Sequence, residues 1–554
     1  MRVSLKPLPR AVTRPLSILI LIAWAAAMAA LVNRSYLQAS SATLATDLAR
    51  YGSEAVWRGV YYRGEKIGFT VSQTVPKDHG FEIQEDGRLQ MSLLGATTAA
   101  ALRTTAEVDE SFALRTFTFS LDPGTGPIEV RGRVDGRRLT LEVKTEGGTR
   151  TEQRELEEPP ALSLNLSRRL ANGGLSAGAR HRWTIFDPAT LRNTPVDVEV
   201  GKREMIRSTG LAPIPAFRVD MAFAGLRTTS WVTDTGEVVR EESPLGLITL
   251  REPAEIARRM AVSRRIQVDM LQASAVVPTL RRPIPEPRDV RHMRLRVTFP
   301  SGADPSGADL EGITQRVDGD DRGAGAPGVT IIELDDPRNL RARRADPDSA
   351  RYLAPEPFIE SDAPEIRAEA ETAVRGADGP RDRAERLTRY VNALLDKKPT
   401  VSLPSAREVL RTKVGDCNEH TALYVAMARA VGIPARIAVG LVFIHGAFYY
   451  HAWPEVYLDE GGDRGLWLPV DPTLNQFPAD TTHLRLARGG LDKQTAILPL
   501  VGRLRMTVLD LEVAPNTTPI LVGAQPLQIN PAAVPISRRE ATGCWFCCPR
   551  SDGR

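Results

Sequence analysis

Short runs of alternating apolar and polar residues, separated by turn residues, recur between roughly residues 57 and 250. One example spans residues 128–143 and has Asp135 and Gly136 at its centre. Alternation with a period of two buries one face of a strand, and two such runs around a short glycine-containing turn are typical of a β-hairpin. Repeated hairpins predict an antiparallel all-β domain over residues 36–270, built as a sandwich or as a curled half-barrel.

The N-terminus carries the pattern of a membrane anchor. Basic residues precede an uncharged apolar run at 15–32, whose 18 residues at about 1.5 Å each cover a hydrocarbon core of about 30 Å. The basic side stays in the cytoplasm by the positive-inside rule. The pattern therefore predicts a single-pass protein of the bacterial inner membrane, with the bulk of the chain in the periplasm or otherwise outside the cytoplasm. Small residues at 25, 27 and 29 leave a cleaved signal peptide as the alternative.

Composition limits the remaining possibilities. The chain has 554 residues, of which 25% are charged and 42% hydrophobic, as in ordinary globular proteins. Its net charge of +4 comes from interspersed acids and bases, so no nucleic-acid partner is expected. We predict a cytoplasmic tip and anchor at 1–35, a Pro- and Gly-rich linker with a small β extension at 271–355, a catalytic domain at 356–490 and a C-terminal extension at 491–554.

Cys417 is the only cysteine before the extreme C-terminus. Asp416 is a candidate N-cap for a helix that follows, which puts Cys417 in the first turn. The positive end of the helix macrodipole favours a thiolate there. A thiolate needs a base to take its proton, and an imidazole oriented by a carboxylate is the usual solution. No cofactor or metal is required for such chemistry, and none is predicted.

His451 and Asp471 are the candidate base and orienting acid. They lie in two strand-like runs separated by a Gly- and Asp-rich turn. A hairpin centred on Gly461 would place both residues on one rung and one face, with β-carbons about 4.5–5.5 Å apart. The spacing therefore predicts a Cys-His-Asp triad.

Three segments in this order resemble the transglutaminase-like superfamily, whose fold is related to that of papain-type thiol enzymes. They are GDCNEHTALYVAMARAVGIPARIAVGLVF, YYHAWPEVYL and GLWLPVDPT, and they cover roughly residues 360–485. The resemblance implies that Cys417 is the nucleophile, His451 the general base and Asp471 the orienting acid. Overall it implies an α+β chain, in which an all-β domain and a single transmembrane helix precede a catalytic domain of N-terminal helices and an antiparallel sheet.

Several neighbours of the triad have two interpretations. Trp453 and Glu455 alternate with His451 along one strand and, with Tyr450, are candidates for the substrate cleft. Aromatic residues at such positions are also common in cores. His420, one turn after Cys417, is a candidate second base or a packed histidine.

The tail contains Cys544, Cys547 and Cys548. Three sulfurs are too few for a closed structural zinc site without a further ligand. A redox, metal, partner-linking or lipid-attachment segment remains open, as does a tip without a role in catalysis.

The activity predicted for this chain is thiol-dependent acyl transfer on an amide bond of a protein or peptide. Hydrolysis by a peptidase or amidase is favoured because water is always available as the acceptor. The alternatives are cross-linking of protein glutamine by a transglutaminase, and a non-catalytic binding or scaffold module of the cell envelope.

Overall fold

The computed structural model describes residues 51–514, except 53, 94–95, 124–126, 146–147, 174, 190, 224–225, 245, 260–268, 285, 301–307, 319–327, 400–404, 490–496 and 498–499. The predicted anchor at 15–32 and the three tail cysteines lie outside the described residues. The chain divides into two compact units, 1–55 and 56–554, and every strand and helix below belongs to the second. Among the described residues, no helix combines the length and the apolar character needed to cross a membrane.

The first half of the second unit forms one antiparallel sheet, with fourteen strands in the described part of the chain. The strands are β1 (Val56–Tyr62), β2 (Glu65–Lys77), β3 (Gly80–Leu93), β4 (Ala96–Val108), β5 (Leu114–Asp122), β6 (Ile128–Asp135), β7 (Arg138–Thr145), β8 (Gly148–Glu155), β9 (Arg180–Asp187), β10 (Arg192–Ser208), β11 (Leu211–Phe223), β12 (Leu226–Val232), β13 (Val238–Glu242) and β14 (Leu247–Arg251). The chain builds outwards from β1 to β8, crosses to the opposite edge, and returns inwards from β9 to β14, which pairs with β1. The predicted antiparallel hairpins are thereby confirmed.

This sheet curls so that its two halves face each other. The ring of Phe117 on β5 lies 5.5 Å from that of Phe186 on β9, although the two strands are far apart in the sheet. Ala161, in the crossover, bridges to Ile185 on β9, and helix α1 (Ser163–Asn172) follows directly. The structure therefore takes the curled form rather than two separate sheets.

A small second sheet joins the middle of the chain to its C-terminal part. It has the order β16-β17-β15-β25, with β15 (Val290–Thr298), β16 (Gln315–Val317), β17 (Val329–Asp335) and β25 (Arg505–Val513). Two short helices, α2 (Ala254–Ala257) and α3 (Met270–Ser274), precede it. Strand β25 comes from the segment predicted as a C-terminal extension, yet it pairs with β15 along its length.

The third part holds four helices against a five-stranded sheet. The helices are α4 (Pro364–Ala373), α5 (Gly379–Leu394), α6 (Ala406–Thr412) and α7 (Cys417–Ala430). The sheet has the order β18-β23-β22-β21-β24, with β18 (Arg343–Arg344), β21 (Ala435–Ile444), β22 (Ala447–Gly461), β23 (Arg464–Pro469) and β24 (Leu484–Arg488). A short parallel pair, β19 (Asp396–Lys397) and β20 (Val414–Gly415), leads into α7. Helix α7 is central, because it packs on α4, α5 and α6 and also on β21 and β22.

Candidate active site

Local sequence places Cys417 at the start of α7. The Asp416 carboxylate accepts a hydrogen bond from the Asn418 amide at 2.9 Å, and the Glu419 carboxylate accepts one from the Asp416 amide at 2.8 Å. The Glu419 amide also donates to the Asp416 side chain, which completes a capping box, so the predicted N-cap is confirmed. Gly415 permits the tight approach, because a β-carbon there would lie 2.2 Å from the β-carbon of Glu419.

The Cys417 sulfur is half-buried and lies beside the strand that carries His451. The backbone N–H of Ala452, the residue after His451, donates a hydrogen bond to it. Burial raises the pKa of the Cys417 thiol well above its usual value, and the Asp416 charge acts in the same direction. Burial and the capping carboxylate therefore both oppose the thiolate that the helix macrodipole favours. A base must take the proton.

His451 lies on β22, one residue before the contact to Cys417. It pairs with Gly440 on β21, where a β-carbon would lie 2.0 Å from the Leu484 carbonyl oxygen, so glycine permits β24 to pack closely on the other side. One helical turn beyond Cys417, the Thr421 hydroxyl donates to the Ala452 carbonyl at 3.1 Å. Helix α7 and strand β22 are thus fixed to each other at the residues that flank Cys417 and His451.

Asp471 follows β23 in a tight loop. Its backbone exchanges two hydrogen bonds with Gln476, at 2.9 and 2.8 Å, and the Asn392 side chain of α5 holds the adjoining carbonyl of Pro472 at 2.7 Å. The Asp471 carboxylate is fully buried, and its Oδ2 accepts a hydrogen bond from His451 Nε2 at 2.7 Å. Burial opposes its ionisation, but the charges and hydrogen bonds of His451 and His483 outweigh burial and lower the pKa of Asp471 far below its usual value. Nδ1 is left as the His451 nitrogen that can exchange a proton.

The predicted register of the hairpin is wrong, although His451 and Asp471 do meet. In the β22–β23 ladder Tyr457 pairs with Trp467, so the centre lies one residue beyond Gly461. The ladder ends at Pro469, before Asp471. Asp471 therefore reaches His451 from a loop and not from the opposite rung. The residue types and approximate spacing were sufficient to identify the pair, and the loop provides the final approach.

Of the three candidate cleft residues, Trp453 and Glu455 are buried, and Tyr450 is partly buried and hydrogen-bonded to the backbone. The Trp453 side chain is only 1% exposed, and the Glu455 side chain lies in a buried cluster with the guanidinium groups of Arg436 and Arg485. The Tyr450 hydroxyl donates to the Leu500 carbonyl at 2.6 Å. Trp453 and Glu455 thus share a face with His451, as alternation predicts, but that face is covered. The packing interpretation is the one that the structure favours for them.

His420 is also a packed residue. Its side chain is fully buried, and its Nδ1 donates to the Asp416 carbonyl at 2.7 Å. Burial lowers the pKa of His420 to about 4, so the imidazole is neutral near neutral pH. Among the described residues its Nε2 has no hydrogen-bond partner. These features favour the packed histidine over a second base.

Two residues absent from the sequence prediction complete the site. His483 Nε2 donates to the same Asp471 oxygen, Oδ2, at 3.0 Å, and His483 Nδ1 lies 3.2 Å from Asp480 Oδ1. The ligand atoms of His451, Asp471 and His483 lie within 4.8 Å of one another and are the one group of metal-binding type in the described residues. Since both imidazoles use an N–H against the shared oxygen, the arrangement is a hydrogen-bonded network. The local sequence gives no signal for the contact between His483 and Asp471, because His483 lies in a loop, one residue before strand β24 begins.

Residues 367–472 match the model of the transglutaminase-like superfamily. The segment includes Cys417, His451 and Asp471, and the family resemblance seen in the three sequence motifs is thereby confirmed. This part of the chain is a transglutaminase-like domain. Among curated proteins, none matches the chain.

Several solved structures are similar to parts of the chain. A proposed cysteine protease from Cytophaga hutchinsonii is 15% identical, with 42% of this chain and 90% of that chain covered and a TM-score of 0.27. A β-barrel-like protein with a domain of unknown function from Brucella abortus is 11% identical, with 36% and 96% covered and a TM-score of 0.30. A proposed protease from Parabacteroides distasonis is 10% identical, with 71% and 70% covered and a TM-score of 0.18. At these TM-scores none of the likenesses carries an argument about chemistry.

Proposed function

We propose that the chain is a thiol-dependent enzyme that hydrolyses an amide bond of a protein or peptide through Cys417, His451 and Asp471. The observation that carries the proposal is the buried His451–Asp471 hydrogen bond of 2.7 Å, formed beside a cysteine at a helix N-terminus inside the transglutaminase-like segment. A hydrogen-bonded base and orienting acid next to a thiol is the arrangement that nucleophilic acyl transfer requires.

The proposed reaction has two steps. The Cys417 sulfur attacks the amide carbonyl while its proton passes to His451 Nδ1, and that proton then goes to the departing amine, which leaves a thioester. Water, deprotonated by the same nitrogen, hydrolyses the thioester to a carboxylate and restores the thiol. Asp471 keeps Nε2 protonated and the ring oriented, and the Cys417 backbone amide would help to hold the oxyanion.

Two further parts of the proposal concern acceptor and location. An amine in place of water would give a cross-linking transglutaminase, and a chain without turnover would be an envelope binding module. The apolar run at 15–32 with its basic flank supports a bacterial inner-membrane anchor and a catalytic domain outside the cytoplasm.

Alkylation of Cys417 by iodoacetamide across pH tests the triad without a known substrate. Peptide mapping of the full-length protein counts Cys417 separately from the tail cysteines. Because burial and Asp416 disfavour the isolated thiolate, we expect His451→Ala to move the alkylation midpoint to higher pH. Identical, uniformly slow profiles for the folded wild type and variant would support the binding module instead.

The acceptor is tested by adding a fluorescent primary amine to an unfolded protein substrate. New peptide termini without bound amine indicate hydrolysis, and amine bound at glutamine side chains indicates a transglutaminase. A fusion of a reporter enzyme after Arg554 that is active only outside the cytoplasm would support the proposed topology, and activity inside it would contradict it.

A further inference from the structure

Asp471 holds two histidines with a single oxygen. Its Oδ2 accepts hydrogen bonds from Nε2 of His451 at 2.7 Å and from Nε2 of His483 at 3.0 Å. Its other oxygen, Oδ1, accepts the Leu474 amide at 2.9 Å. Three hydrogen bonds thus reach the carboxylate, two of them at Oδ2, and His483 fixes the oxygen that His451 uses.

His483 is itself held on both ring nitrogens by acceptors. Its Nδ1 lies 3.1 Å from the carbonyl oxygen and 3.2 Å from Oδ1 of Asp480, and its Nε2 faces Asp471. A neutral imidazole would direct a lone pair at one of these oxygens, whereas the imidazolium donates to both sides. The hydrogen-bond geometry therefore requires a protonated His483.

Asp480 is braced for this contact. Its Oδ1 accepts the amide and the hydroxyl of Thr482, at 2.9 and 2.6 Å, and its Oδ2 accepts the Gln476 side chain at 2.8 Å. The His483 ring makes T-shaped contacts with the rings of Trp453 and His451. The centroid distances are 5.1 Å to Trp453 and 6.0 Å to His451. Two buried acids and two packed rings leave His483 a single orientation.

We propose that His483 is a positioning residue for the catalytic pair, which anchors the Asp471 oxygen that His451 also uses and places a fixed positive charge next to it. The inference rests on the proposed function, since it concerns the same site. It adds a fourth member to the constellation and predicts how that member sets the pH range in which Cys417 reacts.

The charge of His483 is consistent with its surroundings. Burial disfavours the imidazolium, but attraction to Asp480 and the hydrogen bonds to Asp471 and Asp480 outweigh burial and raise the pKa of His483 to about 10. The titratable groups that face it are Asp471, Asp480 and His451, and Glu455, Asp335 and Arg485 border the adjoining small cavity. At neutral pH His483 is therefore a cation, and its ring centroid lies 6.0 Å from that of His451.

Removal of this cation should make the Cys417 thiolate harder to form. The Asp471 charge raises the pKa of the Cys417 thiol, and the His483 cation, which is hydrogen-bonded to Asp471, offsets that charge. We expect His483→Gln, which keeps a neutral donor, to move the alkylation midpoint of Cys417 upwards. Asp480→Asn removes an anion together with the proton of His483, so it should move the midpoint less than His483→Gln does. The exposed His79→Gln in the large sheet is the matched control and should give the wild-type profile.

His483→Phe separates anchoring from charge. It removes the donor as well, so we expect the midpoint shift together with a lower alkylation rate than in His483→Gln, because Asp471 is then free to turn away from His451. A wild-type midpoint in folded His483→Gln would overturn the proposal. A midpoint shift in which Gln and Phe variants are identical would contradict the anchoring part.

The wild-type protein provides a test that does not depend on folding of the variants. Nitrogen-15 spectra of the histidine rings at pH 8 should show His483 with both nitrogens protonated, and a neutral tautomer would overturn the proposed fixed charge. The two proposals fail differently. A wild-type Cys417 that is indifferent to His451→Ala contradicts the triad, whereas an unchanged profile after His483 replacement, with a normal response to His451→Ala, contradicts only the role of His483.

Discussion

The large curled sheet and the transglutaminase-like domain bury their strands differently. Strand β6 alternates between buried and exposed positions, whereas nine of the ten residues of β21 are buried, because α7 covers one face and further elements cover the other. One-sided burial leaves an alternating sequence, and two-sided burial leaves a continuous apolar run. The two regions therefore differ in how much of the surface of their strands is exposed to water.

Their charged groups differ in the same way. Arg180 and Glu199 of the sheet form an ion pair with both side chains more than half exposed, at 78% and 51%. Glu455 of the transglutaminase-like domain is 5% exposed at its side chain and bonds Arg436, Arg485 and Arg488. A buried charge is tolerated only with partners in good geometry. The stability of the transglutaminase-like domain thus depends on buried polar groups.

The largest expected effect is loss of turnover without loss of fold. Cys417→Ala should lower turnover by about three orders of magnitude or more, and His451→Ala in the same background should add little, because the groups act as a unit. Asp471→Asn should cost less. Melting temperature and turnover on any substrate of the wild type are the measurements, with Thr151→Ala on an edge strand of the sheet as control. Full activity in Cys417→Ala would exclude it as nucleophile.

Glu455→Gln tests the buried cluster. Three guanidinium groups would lose their shared carboxylate, so we expect a loss of about 3–5 kcal/mol in the free energy of unfolding. The matched change Glu199→Gln in the large sheet should cost about 0–1 kcal/mol. Denaturant unfolding of both variants gives the comparison directly, and equal small effects would show that burial does not distinguish the two regions.

Trp453→Ala should cost a similar or slightly smaller amount, about 3–5 kcal/mol, because it opens a cavity against the rings of His451 and His483. Met205→Ala, in the sheet, removes a side chain that is 60% exposed and should change stability by less than about 0.5 kcal/mol. A drop in turnover of Trp453→Ala without a drop in melting temperature would return Trp453 to the substrate cleft.

The smallest expected effects are the changes in stability with pH that arise when Glu455 or His483 gains or loses a proton. Burial raises the pKa of Glu455, but Arg485, Arg488 and Arg436 outweigh it and lower that pKa to about 2. Its stabilisation is therefore present above about pH 4.3 and lost as the pH falls towards 2. The raised pKa of His483 has the opposite sign, so its stabilisation is present below about pH 6.5 and lost as the pH rises towards 10.

Hydrogen exchange resolved by region measures the loss of stability at acidic pH, from Glu455, and at alkaline pH, from His483. Protection of α7 and β22 should fall at acidic and at alkaline pH before that of β6 and β7. Simultaneous loss of protection in the two regions at both limits would contradict the assignment of these protons to the transglutaminase-like domain.

Patterns within a few residues were readable from the sequence. Asp416 caps α7, and the alternating runs became the strands of the large sheet. Each depends on backbone hydrogen bonds or side-chain periodicity over one turn or one hairpin. Cys417, His451 and Asp471 could be predicted to lie close together from their residue types and from their order along the chain, which resembles that of a known family.

Contacts between distant segments had no comparable signal. The pairing of β25 with β15, the approach of Phe117 to Phe186, and the burial of Glu455 among arginines join residues that are many positions apart.

The sequence by itself determined the hairpins, the capped helix and the residue types of the site, because those follow from local hydrogen bonding and from the period of apolar residues. Only the tertiary structure decided which oxygen of Asp471 is shared, since His483 reaches it from 12 residues further along the chain. It also decided the burial of Cys417 and its closeness to Asp416, which both raise the pKa of the thiol against the effect of the helix dipole. Electrostatics of this kind depends on the complete set of neighbours, which no short stretch of sequence contains.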